Sequence, residues 1–281
     1  MVYPNIVFGS SGLVGLSVIK YCSKKKIKFI HSSRSRPDYS NIKWVSLDLD
    51  RKLQNFKYKK FNIGIFLTSP SYLKKNLKYN KFNKEFYWLR KVTNNFIFSK
   101  FIYVSSSSVY YKKHPIGKVK KKCEKYLQKN KHKFKYVQIW RPFNLVGSRQ
   151  KTITDHFHNL LFKKLFINKL KKCKFRGNKN DVRGYSDVNE FVKIMFKESR
   201  KEKSFIRNFG NPQGIKLNQM LKIFNKEYFK RNKTNFIAEF NSKYPNKNII
   251  SNKLKNSFFS NKSSKNVINN YLIEMLNAQK K

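Results

Sequence analysis

Short apolar runs alternate with amphipathic stretches through the first 150 residues. The runs Asn5–Phe8, Lys28–His31, Trp44–Leu47, Ile63–Leu67, Phe101–Ser105 and Tyr136–Trp140 read as strands. Between them, Leu13–Lys24, Phe82–Ser99 and Lys118–Asn130 carry helical spacing. Strands alternating with helices predict an α/β chain, a parallel sheet with helices on both faces. Ligands of such sheets sit beyond the carboxyl ends of the strands.

After Arg141-Pro142 the pattern loosens. Ile153–Leu170, Asp187–Ser199, Leu217–Phe229 and Asn266–Gln279 read as helices, and Asn241–Lys265 as irregular or poorly ordered. The expected division is a first domain over 1–148, with a return segment near 181–200, and a smaller lobe over 149–281. There is no internal repeat.

The first strand runs straight into Gly9-Ser10-Ser11-Gly12-Leu13-Val14-Gly15. Glycines spaced G-x-x-G-x-x-G between a strand and a helix have separate tasks. The first permits a tight turn, the second lets backbone approach a pyrophosphate, and the third lets the helix pack closely on the strand. The helix N-terminus then faces the anion. A plain strand–helix turn is the alternative.

Residues of chemical interest follow the other strands too. The second strand continues into Arg34 and Arg36, with no acid to hold the ribose of NAD. Arginines there suit the extra phosphate of NADP, so the reading is NAD or NADP with a lean to NADP. The third leads into Asp48-Leu49-Asp50, notable among six aspartates, or else a turn cap. The fifth leads into Ser105-Ser106-Ser107-Ser108-Val109-Tyr110, a hydroxyl cluster suited to a carbonyl or hydroxyl substrate. The lysine-rich stretch with Lys120 comes next, and the sixth strand ends at Trp140-Arg141-Pro142.

Charge widens the range of partners. The 281 residues hold 64 Lys and Arg against 14 Asp and Glu, a net charge of +50. Nonspecific polyanion binding at low salt follows from that excess. Lys, Asn, Ile, Phe and Tyr are all abundant, as AT-rich coding would produce, and the lysines are spread through the chain. Lys112–Lys135, with eleven lysines and one glutamate, reads either as a polyanion-binding face or as a solvated helix face. No run reaches the roughly 18 apolar residues of a membrane span, and no signal peptide is evident. Three cysteines, Cys22, Cys123 and Cys173, lie far apart, which fits a reducing cytoplasm. Asp155-His156-Phe157-His158 places its histidines on different faces of a helix, so no metal site is expected.

Taken in order, GSSGLVG, Leu47-Asp48-Leu49, FIYVSSSSVY, GKVKKKCE, WRPFNLVG, RGYSDVNEF and NFGNP resemble the extended short-chain dehydrogenases/reductases, the NAD-dependent epimerase/dehydratase family. The resemblance covers roughly residues 4–225. It implies a Rossmann-type doubly wound parallel sheet with a smaller, mostly helical C-terminal substrate lobe. By it, Gly9, Gly12 and Gly15 frame the pyrophosphate, Arg34 lies near the adenosine ribose, and Asp48 with Leu49 lies near the adenine. Ser106 matches the family's catalytic Ser/Thr. Lys120 matches the lysine of the Tyr-x-x-x-Lys pair, which binds the nicotinamide ribose and lowers the tyrosine's pKa.

The chain departs from that pattern at one decisive position. Four residues before Lys120 stands Ile116, which has no proton to exchange. Tyr110 or Tyr111 from the preceding loop are the stand-ins. The strand-end Leu67-Thr68-Ser69-Pro70 also replaces the family's small apolar residues beside the cofactor. Two functions follow as expectations. One is an NAD(P)-dependent epimerase, dehydratase or reductase acting on a nucleotide-sugar or related carbohydrate. The other is a non-catalytic dinucleotide-binding protein of the same fold, a cofactor sensor or an RNA binder. A homodimer through a helical face accompanies either by analogy.

Overall fold

A computed structural model describes residues 3–39, 41–51, 53, 56–70, 83–111, 114–147, 157–176, 178–241, 248–249 and 257–279. The chain forms two compact units, one of residues 1–142 and 188–209, the other of residues 143–187 and 210–281.

The first unit begins with strand β1 (Ile6–Phe8), helix α1 (Leu13–Lys24), β2 (Ile30–Ser33), β3 (Lys43–Ser46) and β4 (Lys60–Phe66). Helix α2 (Lys84–Asn95), β5 (Ile97–Val104), α3 (Pro115–Lys129) and β6 (Phe134–Pro142) follow. The returning segment adds α4 (Val188–Ser199) and β7 (Phe205–Gly210). The strands pair in parallel in the order β3-β2-β1-β4-β5-β6-β7. From β1 the chain winds one way through β2 and β3, then crosses back to β4 and winds the other way. The switch point lies between β1 and β4, where a doubly wound sheet opens its ligand crevice.

Sequence chemistry explains the layers. Ile6, Val7 and Phe8 are all fully buried, as a central strand covered on both faces requires. Below one face, Phe61, Phe66, Phe98 and Phe101 form an aromatic core with Trp88, Leu89 and Val92 of α2 and Val119, Cys123 and Leu127 of α3. Phe61 and Phe98 stack at 5.7 Å. Helices α1 and α4 pack together, with Tyr21 stacked on Phe196 at 4.8 Å.

All six expected strands are present in this unit, displaced by up to four residues at their ends. The α2 expectation ran too far. The helix stops at Asn95, because Ile97-Phe98-Ser99 opens β5, where Phe98 is buried against the aromatic core. Strand β7 was missed. Its face is only half-buried over Phe205–Asn208, which leaves no clean apolar run.

The second unit is not as helical as expected. Helices Phe157–Phe162, Leu217–Asn232 and Ser264–Ala278 share a core with a parallel pair, Lys172–Arg176 and Ile237–Asn241. That pair was hidden by its polar residues, Lys172, Lys174 and Arg176 on one strand and Glu239 and Asn241 on the other. The helix expected over Ile153–Leu170 is α-helical only to Phe162 and then widens into a π-turn over Lys163–Ile167. Asp155 and His156 lie outside the described residues, as does most of the Asn241–Lys265 tail. Of that tail, Asn248–Ile249 and Phe258–Phe259 are short strands, and Ser264 opens the last helix. Among the described residues no helix is long and apolar enough to cross a membrane, and no three metal-ligating side chains converge.

His31, buried in β2, is a latent acid switch. Burial pushes its pKa down to about 4, and its Nδ1 has no partner. The folded pKa lies below the unfolded one, so protonation of His31 adds no cost above about pH 6.5 and destabilises the fold as pH falls towards 4. The expected loss between pH 7 and pH 4 is about 3 kcal/mol from this residue. Urea titrations of wild type and His31→Gln at both pH values measure it. Equal acid losses in the two proteins would rule it out.

Candidate functional site

The glycine loop joins β1 to α1, and each glycine occupies a different environment. Gly9 has φ +87°, and a Cβ there would stand 2.9 Å from the Thr68 amide nitrogen at the end of β4. A side chain is excluded there by conformation and by space. A Cβ on Gly15 would stand 2.5 Å from the Gly9 carbonyl and 2.6 Å from the Ser10 backbone, so α1 rests directly on the loop. Gly12 differs: a Cβ there meets only the Gly9 carbonyl, at 3.7 Å. The space over Gly12 is open.

Gly12 is also the N-cap of α1, with no side-chain cap. Leu16 is the first helical residue seen bonding back, its N–H donating to the Gly12 carbonyl at 2.8 Å. The amides before it, on Leu13, Val14 and Gly15, are the N-terminal donors that a helix leaves for an external partner. Leu13 and Val14 are half-buried beside them. A cradle with bare backbone, free helix-terminal donors and no acid in the first helical turn fits a pyrophosphate.

The serines of the loop divide. Ser10 is fully buried and works on the fold: its Oγ donates to the Ser32 carbonyl at 3.1 Å, and its N–H to the same oxygen at 3.0 Å. Ser11 is half-exposed at the loop's outer side. Arg34 and Arg36 are exposed after β2.

The segment after β3 is tied down more heavily than expected. Asp48 Oδ1 accepts the Asp50 N–H at 3.0 Å, so Asp48 closes a turn, and Leu49 is packed into the core. Helix α2 reaches over to fix this turn. Lys84 and Trp88 both donate to Asp50 at 2.9 Å, and Lys91 donates to the Leu49 carbonyl at 3.0 Å. The Lys84 hydrogen bond lowers the Asp50 pKa.

Beyond β5 lies a pair of buried carboxylates with separate partners. Ser106 Oγ accepts the Ser108 N–H at 3.1 Å and caps the short 3₁₀ turn Ser107–Tyr110. The neighbouring Ser105 points the other way and donates to Glu124 at 2.6 Å. Glu124 also receives Arg141 in a two-pronged pair, Nε at 3.0 Å and the terminal nitrogen at 2.6 Å. Arg141 continues to the Tyr110 oxygen at 2.9 Å, and Tyr110 donates to Asn208 at 2.8 Å. Tyr110 is thus a latch from the Ser turn to β6 and β7, with half its surface open. Tyr111 is exposed.

Lys120 lies one helical turn after the half-buried Ile116 on α3. Its ammonium is 2.6 Å from Glu85 of α2 and donates to the Val104 carbonyl at 3.0 Å. Both side chains are almost wholly buried. Glu85 also accepts from Tyr103 at 2.7 Å and from Ser69 at 2.9 Å. Burial, and then the Glu85 charge, push the Tyr103 phenol well above its usual pKa, so it remains a donor. The charge of Lys120 is therefore largely spent on Glu85, and no hydroxyl occupies the position one turn before it.

Glu85, Glu124 and Arg141 escaped the sequence reading as site residues. One signal was available. Glu85 stands at i, i+3, i+4 and i+7 spacing with Trp88, Leu89 and Val92, which puts a carboxylate on the buried face of α2. A buried acid needs a partner, and Lys120 supplies it.

No protein-family model matches this sequence, and no curated protein matches it. Solved structures do match the fold. A UDP-glucose 4-epimerase from Thermotoga maritima with UDP-glucose has a TM-score of 0.75 at 15% identity over 99% of this chain and 100% of its own. A UDP-N-acetylglucosamine 4-epimerase from Methanobrevibacter ruminantium, in complex with UDP-N-acetylmuramic acid, has a TM-score of 0.73 at 18% identity over 99% of both chains. MoeE5 in complex with UDP-glucose and NAD has a TM-score of 0.71 at 12% identity over 98% of this chain and 99% of its own. This chain therefore has the Rossmann-type α/β fold seen in UDP-sugar epimerase structures.

Proposed function

We propose that the protein binds NAD or NADP over the Gly9–Gly15 loop and acts on a nucleotide-sugar as an epimerase or dehydratase. The observation that carries this reading is the division of labour among the three glycines. Two are compelled by the fold itself, whereas Gly12 keeps open a space that the fold does not need. The order of sequence motifs and the fold shared with UDP-sugar epimerases support it.

In this reading Leu13, Val14 and Gly15 offer their N–H groups to the pyrophosphate. Arg34 stands on the ribose side, Asp48 and Leu49 on the adenine side, and Ser106 near the substrate oxygen. When bound, the nicotinamide supplies reversible hydride acceptance. The +50 charge favours a substrate that carries a diphosphate.

A specific observation favours a second reading, a dinucleotide-binding protein without turnover. Ile116 cannot exchange a proton, and Lys120 is paired with Glu85. Fluorescence titration with NADH and NADPH in high salt, followed by assays on UDP-sugars with wild type and Ser106→Ala, separates the two. Turnover that falls at least tenfold in Ser106→Ala supports the enzyme. Tight binding with no turnover supports the second reading. Failure of both cofactors to bind at millimolar concentration overturns both.

A further inference from the structure

The two helices on the aromatic face of the sheet present a surface that the proposed site does not use. Helix α3 carries exposed lysines at 118, 121, 122, 125 and 129. At about 100° per residue these fall within one arc of about 100°, along about 16 Å of helix. The opposite face, with Val119, Cys123 and Leu127, enters the core. The stripe continues past the helix end through exposed Lys131 and Lys133.

What sets this surface apart is where its acids went. Helices α2 and α3 contain one acid each, Glu85 and Glu124. Both are buried, and they are consumed by Lys120 and by Arg141 respectively. None is left at the surface of either helix. Lys84 at the start of α2 pairs with Asp50, Lys230 with Glu227 and Lys201 with Glu198, whereas among the described residues the exposed lysines of α3 make no ion pair. Coding bias spreads lysines through a chain, but it does not turn both acids of one layer inward.

The stripe ends at a cleft of about 450 Å³ lined by Asn94, Asn95, Phe96, Ile97, Lys133 and Phe134. Ile97 is 59% exposed, so the cleft has an apolar wall open to solvent. Beside that wall Asn94 Oδ1 accepts from Tyr126 and Lys133, each at 3.3 Å, and Asn95 Nδ2 donates to the Lys91 carbonyl at 2.8 Å, which leaves the Asn94 Nδ2 and the Asn95 Oδ1 for a ligand. One amide donor and one amide acceptor beside an apolar wall can hydrogen-bond the edge of an unpaired base, and a row of lysines can follow a phosphodiester chain.

We infer that the α2–α3 layer is a docking surface for single-stranded nucleic acid, with phosphates along Lys118–Lys133 and one unpaired base in the cleft. A second copy of this chain would set lysine against lysine. An anionic membrane would ask for large apolar side chains among the lysines, and the lysine arc of α3 offers none.

The test is a salt titration by fluorescence anisotropy, using labelled 20-nucleotide single strands of RNA and DNA and the matching duplex. Wild type is compared with a stripe variant, Lys118→Gln, Lys121→Gln, Lys125→Gln and Lys129→Gln. A control variant removes equal charge elsewhere: Lys193→Gln, Lys197→Gln, Lys222→Gln and Lys226→Gln, all exposed positions. Losing four phosphate contacts should flatten the slope of log affinity against log salt by about 3 for a single strand. The control should leave the slope within about 1 of wild type. Ile97→Asp should abolish the preference for single strand over duplex while leaving the slope unchanged.

Equal losses in the stripe and control variants would mean net charge alone and overturn the assignment. So would preference for the duplex. Phosphatidylserine vesicles that bind through the same four lysines with no single-strand preference would point to a membrane instead. NADH binding by the stripe variant reports separately on the cofactor site, so failure here leaves the proposed function standing.

Discussion

Gly12→Val should fold almost normally and lose NADH, whereas Gly15→Val should scarcely fold. The two positions lie three residues apart in one motif, Gly12 at the N-cap of α1 and Gly15 in its first turn, and are chemically identical in sequence. A side chain at Gly15 would drive into the Gly9 carbonyl at 2.5 Å and the Ser10 backbone at 2.6 Å. Both obstacles are main chain, pinned by Gly9 and Ser10 N–H bonds to the Ser32 carbonyl at 2.9 and 3.0 Å. Neither can yield without tearing α1 from β1, so the expected cost is about 3 kcal/mol or more. At Gly12 nothing but one carbonyl lies within 4 Å, and φ of −83° suits any L-residue. The fold should stay within about 1 kcal/mol of wild type there, the residual cost being a poorer N-cap. The valine would occupy the volume a pyrophosphate needs and cover the helix-terminal donors. Urea unfolding and NADH titration on both variants decide the matter. A Gly12→Val protein that binds NADH as wild type would remove the main support for a dinucleotide over this loop.

Much of this architecture could be read from the chain because the central sheet leaves a strong trace. Ile6-Val7-Phe8 is apolar at every position since both faces are covered, and Leu13–Lys24 was bounded to the residue because glycine precedes it and a lysine run follows. Where burial is partial, the trace weakens. Strand β7 and the pair Lys172–Arg176 with Ile237–Asn241 have their short apolar stretches interrupted by Lys, Arg, Asn or Glu. There the polar residues of a strand look like those of a loop. The glycine loop was legible for a similar reason in reverse: its constraint is steric and local, so it is written in glycines. The carboxylates were not. Glu85 and Lys120 lie 35 residues apart and meet only once α2 and α3 pack together on one face of the sheet. A spacing rule that links Ile116 to Lys120 along a helix says nothing about a partner on the next helix. The sequence motif therefore placed Lys120 on its helix and gave its charge to a cofactor ribose and a tyrosine, with no sign of the Glu85 partner.

Removing that partner should be among the most damaging single changes in the first unit. Glu85→Gln is nearly isosteric and keeps an acceptor for Tyr103, but it leaves the Lys120 ammonium buried without a counter-charge. Breaking a buried pair from one side costs about 3–5 kcal/mol, because the surviving charge remains desolvated. Lys120→Met alone strands the Glu85 carboxylate and should cost a similar amount, softened by the hydroxyls of Tyr103 and Ser69 that still donate to it. Removing both charges together, Glu85→Gln with Lys120→Met, should recover most of the loss, so the double variant should fall short of the sum of the two single losses by about 4 kcal/mol or more. Urea unfolding of the four proteins measures this, and additive losses would mean that the pair is not one unit. The same double variant asks what Lys120 is for. A lysine that grips the cofactor ribose cannot be replaced by methionine without weakening NADH, whatever happens at Glu85. A lysine whose charge is used up by Glu85 and by the Val104 carbonyl can be replaced once Glu85 is neutral. Wild-type NADH affinity in a stable double variant would mark Lys120 as a structural post, and with Ile116 one turn away it would favour binding without turnover. A tenfold or greater loss of affinity with stability restored would return Lys120 to the site and favour the enzyme.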